Sequence, residues 1–168
     1  MKKEMKKKNN KGFSLVELIV VIAIMAVLMV VLAPAMLRYV EKTRVQKDDS
    51  AVSEAANAAE LALADETIYT AANGASTITI TVEDGKAITA KADTANFDAL
   101  AKDVKATVGE KIDFVSKARN GKTATIQLDY IKDRGAYILH TDSDAIKDGE
   151  YVAGKYLNGV MWPADPKN

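Results

Sequence analysis

A continuous apolar run near the N-terminus limits the possible folds of this chain. From Phe13 to Leu37 the only charged side chain is Glu17, over 25 residues. About 20 such residues suffice to cross a bilayer core as a helix. A helix that is apolar all round lies in lipid or is buried among other helices. A secretory signal has a shorter apolar core with the cut behind it, so we expect any cut here to precede the run, between Gly12 and Phe13.

Residues 1–12 form a short basic leader. They hold six lysines and one glutamate, a net charge of +5, whereas the remaining 17 basic and 22 acidic side chains give −5. Basic flanks of a membrane helix stay cytoplasmic, so we expect the rest of the chain outside the cytoplasmic membrane. The leader reads either as a processed segment or as a disordered cytoplasmic tail. An acidic remainder argues against a nucleic-acid partner recognised by bulk positive charge.

The boundary between leader and apolar run carries a recognisable motif, Lys-Gly-Phe-Ser-Leu-Val-Glu at 11–17. It resembles the class III signal of type IV prepilins and pseudopilins, in which a basic leader ending in Gly precedes Phe-(Ser/Thr)-Leu-(Val/Ile)-Glu and an apolar helix. Pro34 stands where many members carry a helix-breaking proline. The resemblance covers Lys11 to about Pro34. It implies prepilin-peptidase cleavage after Gly12, N-methylation of Phe13 and assembly into a filament.

Glu17 and Pro34 each have two readings. A charge at the centre of a membrane helix costs roughly 2.5–3.5 kcal/mol, which the apolar run offsets, so Glu17 either snorkels to the interface or finds a partner. The resemblance implies that it pairs with the Phe13 amine of a neighbouring subunit and sets the filament register. Pro34 removes one helix hydrogen bond. It either kinks the helix mildly or, as the resemblance implies, marks where the helix melts in the filament.

The pattern predicts one long helix from Phe13 to about Glu66. Its first half, 13–37, is the membrane or filament-core half, and 38–66 is amphipathic, with an apolar stripe for a partner surface. The stripe comprises Val45, Val52, Ala55, Ala59 and Leu63.

Residues 67–168 are predicted to form a globular head. A connecting αβ region, 67–110, contains a strand at Thr77–Val82, a turn at Asp84-Gly85 with a return over 87–91, and a helix over 94–108. An antiparallel meander, 111–142, contains strands over 111–118, 123–132 and 136–141, with a hairpin turn at Asn120-Gly121. A tail, 143–168, follows. The class is α+β, the type IV pilin fold, with the outer half of the helix packed on the sheet.

No residue group indicates a catalytic, cofactor or metal site. The chain has no cysteine, which excludes a disulfide or a thiolate site, and departs from pilins that close a C-terminal loop with one. His140 is the single histidine and is expected to have a structural or surface role. The acidic group Asp142, Asp144, Asp148 and Glu150 reads as a solvated turn or a calcium site, and its spacing fits no EF-hand loop.

These observations predict a structural subunit, not an enzyme. By the resemblance it polymerises with itself into type IV pili for adhesion, aggregation, biofilm formation and surface motility. Its partners would be the prepilin peptidase and, indirectly, the assembly platform protein and motor ATPases. It would sit in the cytoplasmic membrane before assembly and on the cell surface afterwards. A pseudopilin of a secretion or DNA-uptake filament is the alternative, and a membrane-anchored binding module that never polymerises is a third reading.

Overall fold

A computed structural model describes residues 13–72, 74–143, 145–147, 150–151 and 154–163, with the backbone alone at 146–147 and 150–151. The leader with Gly12, and also Asp144, Asp148 and the side chain of Glu150, lie outside the described residues. The chain divides into two units, one ending at Val40 and one beginning at Glu41.

The long predicted helix is present, but it ends earlier than expected. Helix α1 runs from Leu15 to Ala62, and a separate short helix, α2, spans Glu66–Ala71. The break lies at Asp65, whose extended backbone (φ −75°, ψ 127°) is not helical. Its carboxylate accepts the Thr67 N–H at 2.8 Å. A side-chain acceptor at this position satisfies an amide that a new helix leaves unpaired, so it starts a second helix.

Beyond the helices the second unit is an antiparallel sheet with one further helix. The elements in chain order are β1 (Thr77–Glu83), β2 (Thr89–Ala92), β3 (Ala95–Asn96), α3 (Asp98–Val108), β4 (Thr123–Ile131), β5 (Ala136–Leu139), β6 (Ile146–Lys147), β7 (Glu150–Tyr151) and β8 (Val160–Met161). The main sheet has the order β3-β2-β1-β4-β5, and β8 also pairs with β4. Strands β6 and β7 pair with each other only, among the described strands.

One core joins the outer part of α1 to the inner face of this sheet. Alternation in β1 and β4 places one apolar set on that face, where its members are fully buried. These are Ile78, Ile80, Val82, Ala124, Ile126 and Leu128. They share a cluster with Val52, Ala55 and Ala59 of α1 and with Phe97, Leu100 and Val104 around α3. Each large aliphatic side chain so buried contributes about 1.5–3 kcal/mol. The expected α+β architecture is confirmed.

The predicted strand over 111–118 is wrong. Only Lys111 makes a bridge, to Ala87, and the following residues are irregular. The inner partner of β4 is instead β1, with Ile78 opposite Leu128 and Ile80 opposite Ile126. The Asn120-Gly121 pair therefore does not close a hairpin. It lies in a helical turn, where the Asn120 N–H bonds the Ser116 carbonyl at 3.0 Å.

On its other edge, β4 is paired by two short strands placed end to end. Strand β5 covers the second half of β4, with Leu139 opposite Leu128. Strand β8 covers the first half, with Val160 opposite Ile126. The chain between His140 and Gly159 therefore leaves this edge and comes back to it.

Candidate assembly segment and head contacts

The first turn of α1 is fixed by two side-chain hydrogen bonds. The Ser14 hydroxyl accepts the Val16 N–H at 3.3 Å, and the Glu17 carboxylate accepts the Ser14 N–H at 2.8 Å. The Glu17 bond is the one that a capping box places between the third helical residue and the cap, while the Ser14 hydroxyl caps the second helical residue. Glu17 thus has a partner within its own chain, on the residue that follows Phe13.

The apolar side chains of the first unit are exposed. Phe13 is 87% exposed, and Val30 and Met29 are 75% and 69% exposed. By length and composition α1 is suited to cross a membrane, and its apolar window has no buried residue within the chain. Contiguous exposed apolar surface of this extent marks a membrane or protein contact. The segment therefore fits anchoring in a membrane before any assembly.

Pro34 lies inside α1, which remains helical on both sides of it. A proline there still lacks the N–H for one helix bond. The single chain thus keeps its helix through Pro34. The local melting in a filament stays a proposal.

Two carboxylates of α1 accept hydrogen bonds from the irregular segment over 111–118, where a strand was predicted. Asp48, only 2% exposed, accepts the Val115 N–H at 3.0 Å and the Ser116 N–H at 2.9 Å. Glu41 accepts the N–H groups of Lys117 and Ala118. Four successive amides are thus bonded to carboxylates rather than to a strand. These bonds explain the absence of a ladder, since the donors are already taken.

A third carboxylate, that of Asp84 in the turn between β1 and β2, binds amides on either side of these four residues. Asp84 accepts the Gly121 N–H at 2.7 Å and the Phe114 N–H at 2.8 Å. The Gly121 bond, followed by the Phe114 bond, lowers the pKa of Asp84 from its ordinary value. Hydrogen bonds to the ionised form have this effect.

The C-terminal residues pack through Trp162, which is 3% exposed. Its ring meets Phe114 edge-on at 5.0 Å, and the Arg119 guanidinium lies 4.2 Å from its centre. Arg119 also pairs with Asp49 at 3.1 Å. Burial, partly opposed by Arg119, raises the pKa of the Asp49 carboxyl. Stacking of Arg119 and Phe114 on Trp162 thus holds the residues after β8 against α1 without a disulfide.

His140 follows β5 directly and lies between two carboxylates. Its Nδ1 contacts Asp129, and its Nε2 lies 3.6 Å from Asp142. The Tyr156 ring meets the imidazole edge-on at 5.3 Å. Carboxylates thus face both ring nitrogens, and the structural or surface role of His140 stays a prediction.

Of the acidic group that reads as a solvated turn or a calcium site, the structure describes the side chain of Asp142 alone. Asp142 accepts the Tyr156 N–H at 2.6 Å, which lowers its pKa. Among the residues that the structure describes, no group of three or more acidic, histidine or cysteine side chains is placed to hold a metal ion. Asp142 has a protein partner instead.

Two signals present in the sequence were missed. Ser14 and Glu17 have the spacing of a capping box before an apolar run. Asn158-Gly159 is the last of three Asn-Gly pairs in the sequence, and both residues have positive φ, 48° and 80°, at a turn where Leu157 and Val160 exchange backbone bonds. Such turns favour Asn-Gly. Asn158-Gly159 thus closes a hairpin, whereas Asn120-Gly121 does not.

Comparison with protein families identifies one segment. Residues 7–33 match the prokaryotic N-terminal methylation motif. No curated protein and no solved structure matches the chain significantly. The matched range covers the end of the leader, the capping box and most of the exposed apolar run. The head therefore has to be interpreted from its own residues.

Proposed function

We propose that this chain, which carries the prokaryotic N-terminal methylation motif, is a type IV pilin that is cut after Gly12, methylated on Phe13 and polymerised into a surface filament. The motif itself supports a pilin or pseudopilin-like substrate of the prepilin peptidase, and it points to a structural subunit rather than an enzyme. Adhesion, aggregation, biofilm formation and surface motility are the roles that such a filament would serve.

The proposal rests on the motif together with the apolar segment that follows it, whose side chains are not buried within the single chain. Side chains from Phe13 onward are exposed in the single chain. In the membrane, lipid would cover them, and in a filament the same segments of neighbouring subunits would do so. Helices that are apolar all round are stable in either surrounding. One segment thus serves first as an anchor and then as the filament core.

Glu17 would set the register in which the apolar helices of neighbouring subunits pack. Cleavage after Gly12 creates a cationic amine on Phe13, with an ordinary pKa of about 7.7–8.0. In an apolar core an unpaired carboxylate and an unpaired ammonium would both be costly, so subunits would settle where Glu17 of one meets the Phe13 amine of its neighbour. The Ser14 bond satisfies Glu17 before assembly, and the amine would supply a charged partner after it. Pro34 would allow the helix to open locally within the filament.

The heads would form the filament surface. The chain after Gly12 has a net charge of −5, so that surface would be acidic. Assembly would depend on the platform protein and motor ATPases, which act on the membrane-inserted subunit. Neither nucleic acid nor a cofactor is part of the proposed function.

The proposal is tested by shearing cells, pelleting filaments and measuring the N-terminal mass of their subunit. We expect a peptide that begins at methylated Phe13, recovered from long filaments. Methylated Phe13 found only in the membrane fraction would instead indicate a pseudopilin. Recovery of an intact 1–12 leader in the mature protein would contradict the proposal.

A matched pair of variants tests the register role. Glu17→Gln keeps the size and the acceptor for Ser14 but removes the charge, whereas Glu54→Gln removes an exposed charge further along the same helix. We expect the yield of sheared filament to fall at least about tenfold for Glu17→Gln, because a loss of roughly 1.4 kcal/mol per subunit contact changes an equilibrium constant tenfold. The yield should stay unchanged for Glu54→Gln. Equal filament yields from both variants would show that Glu17 does not set register.

A further inference from the structure

The chain from Lys42 to Glu66 carries its charges in two blocks. Residues 42–47 hold three basic side chains and no acidic one, whereas residues 48–66 hold six acidic side chains and no basic one. The three are Lys42, Arg44 and Lys47, and the six are Asp48, Asp49, Glu54, Glu60, Asp65 and Glu66. Within the second unit, α1 is therefore basic where it begins and acidic where it ends. Opposite charge makes these two ends complementary to each other.

A groove lies at the acidic end, between the last turn of α1, the start of α2 and strand β5. It has a volume of about 500 Å³, and it is lined by Tyr69 and Tyr137, whose rings meet edge-on at 6.0 Å. Glu60 and Glu66 also line it and are exposed. Among the described residues, neither carboxylate has an ion-pair partner. Arg134 is the one cation of the lining, which leaves a net negative charge.

The segment 115–118 lies at the basic end. Its backbone is held in place because carboxylates of α1 accept its amides. Val115 is 43% exposed and Lys117 is exposed, while Ser116 between them is buried. Val115 and Leu61 are the two large apolar side chains that are exposed among the described residues of the second unit. An exposed apolar residue next but one to a cation fits a groove of aromatic rings and carboxylates.

The segment 115–118 and the groove do not meet within one chain. The segment is bonded to Glu41 and Asp48, whereas the groove begins at Glu60. Between Asp48 and Glu60 the helix rises by about 18 Å. A contact between segment and groove therefore joins two copies and uses a different patch on each. Such a heterologous contact can repeat from copy to copy without closing.

We propose that the segment 115–118 of one chain docks into this groove of a second copy, with Val115 against the tyrosine rings and Lys117 beside Glu60 and Glu66. The attraction between Lys117 and the two carboxylates orients the copies, and burial of Val115 stabilises the contact. This inference rests on the proposed function, because it assigns the contact that the heads of successive subunits make in a filament.

Disulfide trapping tests the contact directly, since the natural chain has no cysteine. Sheared filaments of the full-length variant Val115→Cys/Ala64→Cys would be oxidised and separated without reductant, because Ala64 is exposed in the lining of the groove. We expect a ladder of dimers, trimers and higher multimers. The matched control is Val115→Cys/Ala106→Cys, with the second cysteine at an exposed alanine of α3, and it should give no ladder. Cross-linking no greater than in the control, or dimers without higher multimers, would overturn the proposal.

A charge exchange tests the role of Lys117. Lys117→Glu places a third carboxylate beside Glu60 and Glu66, so we expect the yield of sheared filament to fall about tenfold. Glu66→Lys should lower it similarly, and the combined variant Lys117→Glu/Glu66→Lys should recover about half or more of the wild-type yield. Glu54→Lys, an exposed change outside the groove, should leave the yield unchanged. An unchanged yield for Lys117→Glu, or no recovery in the combined variant, would contradict the docking.

The N-terminal mass of the subunit separates a failure of docking from a failure of the proposed function. We expect methylated Phe13 in every variant, because the head contact follows processing. Wild-type filaments with methylated Phe13, together with a double-cysteine variant that forms no ladder, would overturn the docking alone. An intact 1–12 leader in the wild-type protein would overturn the proposed function and the docking with it.

Discussion

Asp48 and Ser116 are 68 residues apart in sequence, and the buried carboxylate of the first accepts the backbone N–H of the second at 2.9 Å. The same carboxylate accepts the Val115 N–H. A buried charge is tolerated when its oxygens are bonded, and buried amides are tolerated when they find acceptors. This pair therefore fixes the segment before β4 onto α1.

The first prediction concerns that carboxylate. Asp48→Ala would leave two part-buried or buried amides without acceptors, at about 1–3 kcal/mol for each such group. We expect the free energy of unfolding to fall by about 2–4 kcal/mol, measured by urea denaturation of the solubilised chain. Glu54→Ala on the same helix is the control, because Glu54 is exposed. If both variants unfolded at the same urea concentration, Asp48 would not be holding the segment.

The second prediction concerns Gly159. Its φ is +80°, and a Cβ there would lie 2.5 Å from Leu139 Cδ2 and 3.0 Å from Leu139 Cβ. Gly74 has a similar φ of +72° with nothing within 4 Å. Gly74→Ala should cost about 1–2 kcal/mol from backbone conformation alone, and Gly159→Ala should cost clearly more. Thermal unfolding of both variants measures the difference. Similar losses would mean that Leu139 moves aside freely.

The third prediction concerns the stacked tryptophan. Trp162→Ala should destabilise the head by about 3–5 kcal/mol, because it removes a buried ring and leaves a cavity beside Phe114. Trp162→Phe should cost less, since a ring remains to meet Phe114 and Arg119. Urea midpoints at constant m-value would report both changes. A Trp162→Ala chain as stable as wild type would show that the C-terminal strand is not fastened by this contact.

The fourth prediction concerns acid stability. The pKa of Asp84 is lowered by the Gly121 and Phe114 amides. A carboxyl with a lowered folded pKa stabilises the fold above its ordinary value near 3.8, and this contribution is lost as the pH falls through the folded pKa.

Asp84→Asn should therefore be less stable than wild type at pH 6, and the difference should shrink as the pH falls below about 4. Unfolding curves at several pH values between 6 and 2 would show the convergence. Asp103→Asn, an exposed change on α3, is the control. A difference that stayed constant down to the lowest pH would show that the charge of Asp84 plays no part.

Much of the secondary structure was accessible from the sequence because local patterns determine it. The alternation Ile78, Ile80, Val82 defines a strand with one buried face, and the spacing of Leu100, Ala101 and Val104 defines a helix face. The boundary of α1 was less accessible. Helix α1 ends at Ala62, and Asp65 caps the next helix through a bond to Thr67; nothing in the apolar stripe indicates that break.

The error over 111–118 has a non-local origin. The segment has strand-like composition and precedes an Asn-Gly pair, so local rules favour a hairpin. Its amides are taken by Asp48 and Glu41, which are distant in sequence. Whether a carboxylate on a helix meets a loop amide depends on how the two elements pack, and no local pattern reports it.

The N-terminal segment can be identified from local sequence features. The motif, the basic leader and the apolar run lie in one continuous stretch of sequence. Residues 7–33 match a known motif on those local features alone. How the head closes depends on contacts that form only in the folded chain. The position of β1 beside β4, the return of β8 to the edge of β4 that β5 also occupies, and the bonds from Asp48 to Val115 and Ser116 all join residues that are far apart in the chain. Two strands pair in the register that buries the apolar face of each, and which faces are buried depends on the fold of the whole chain.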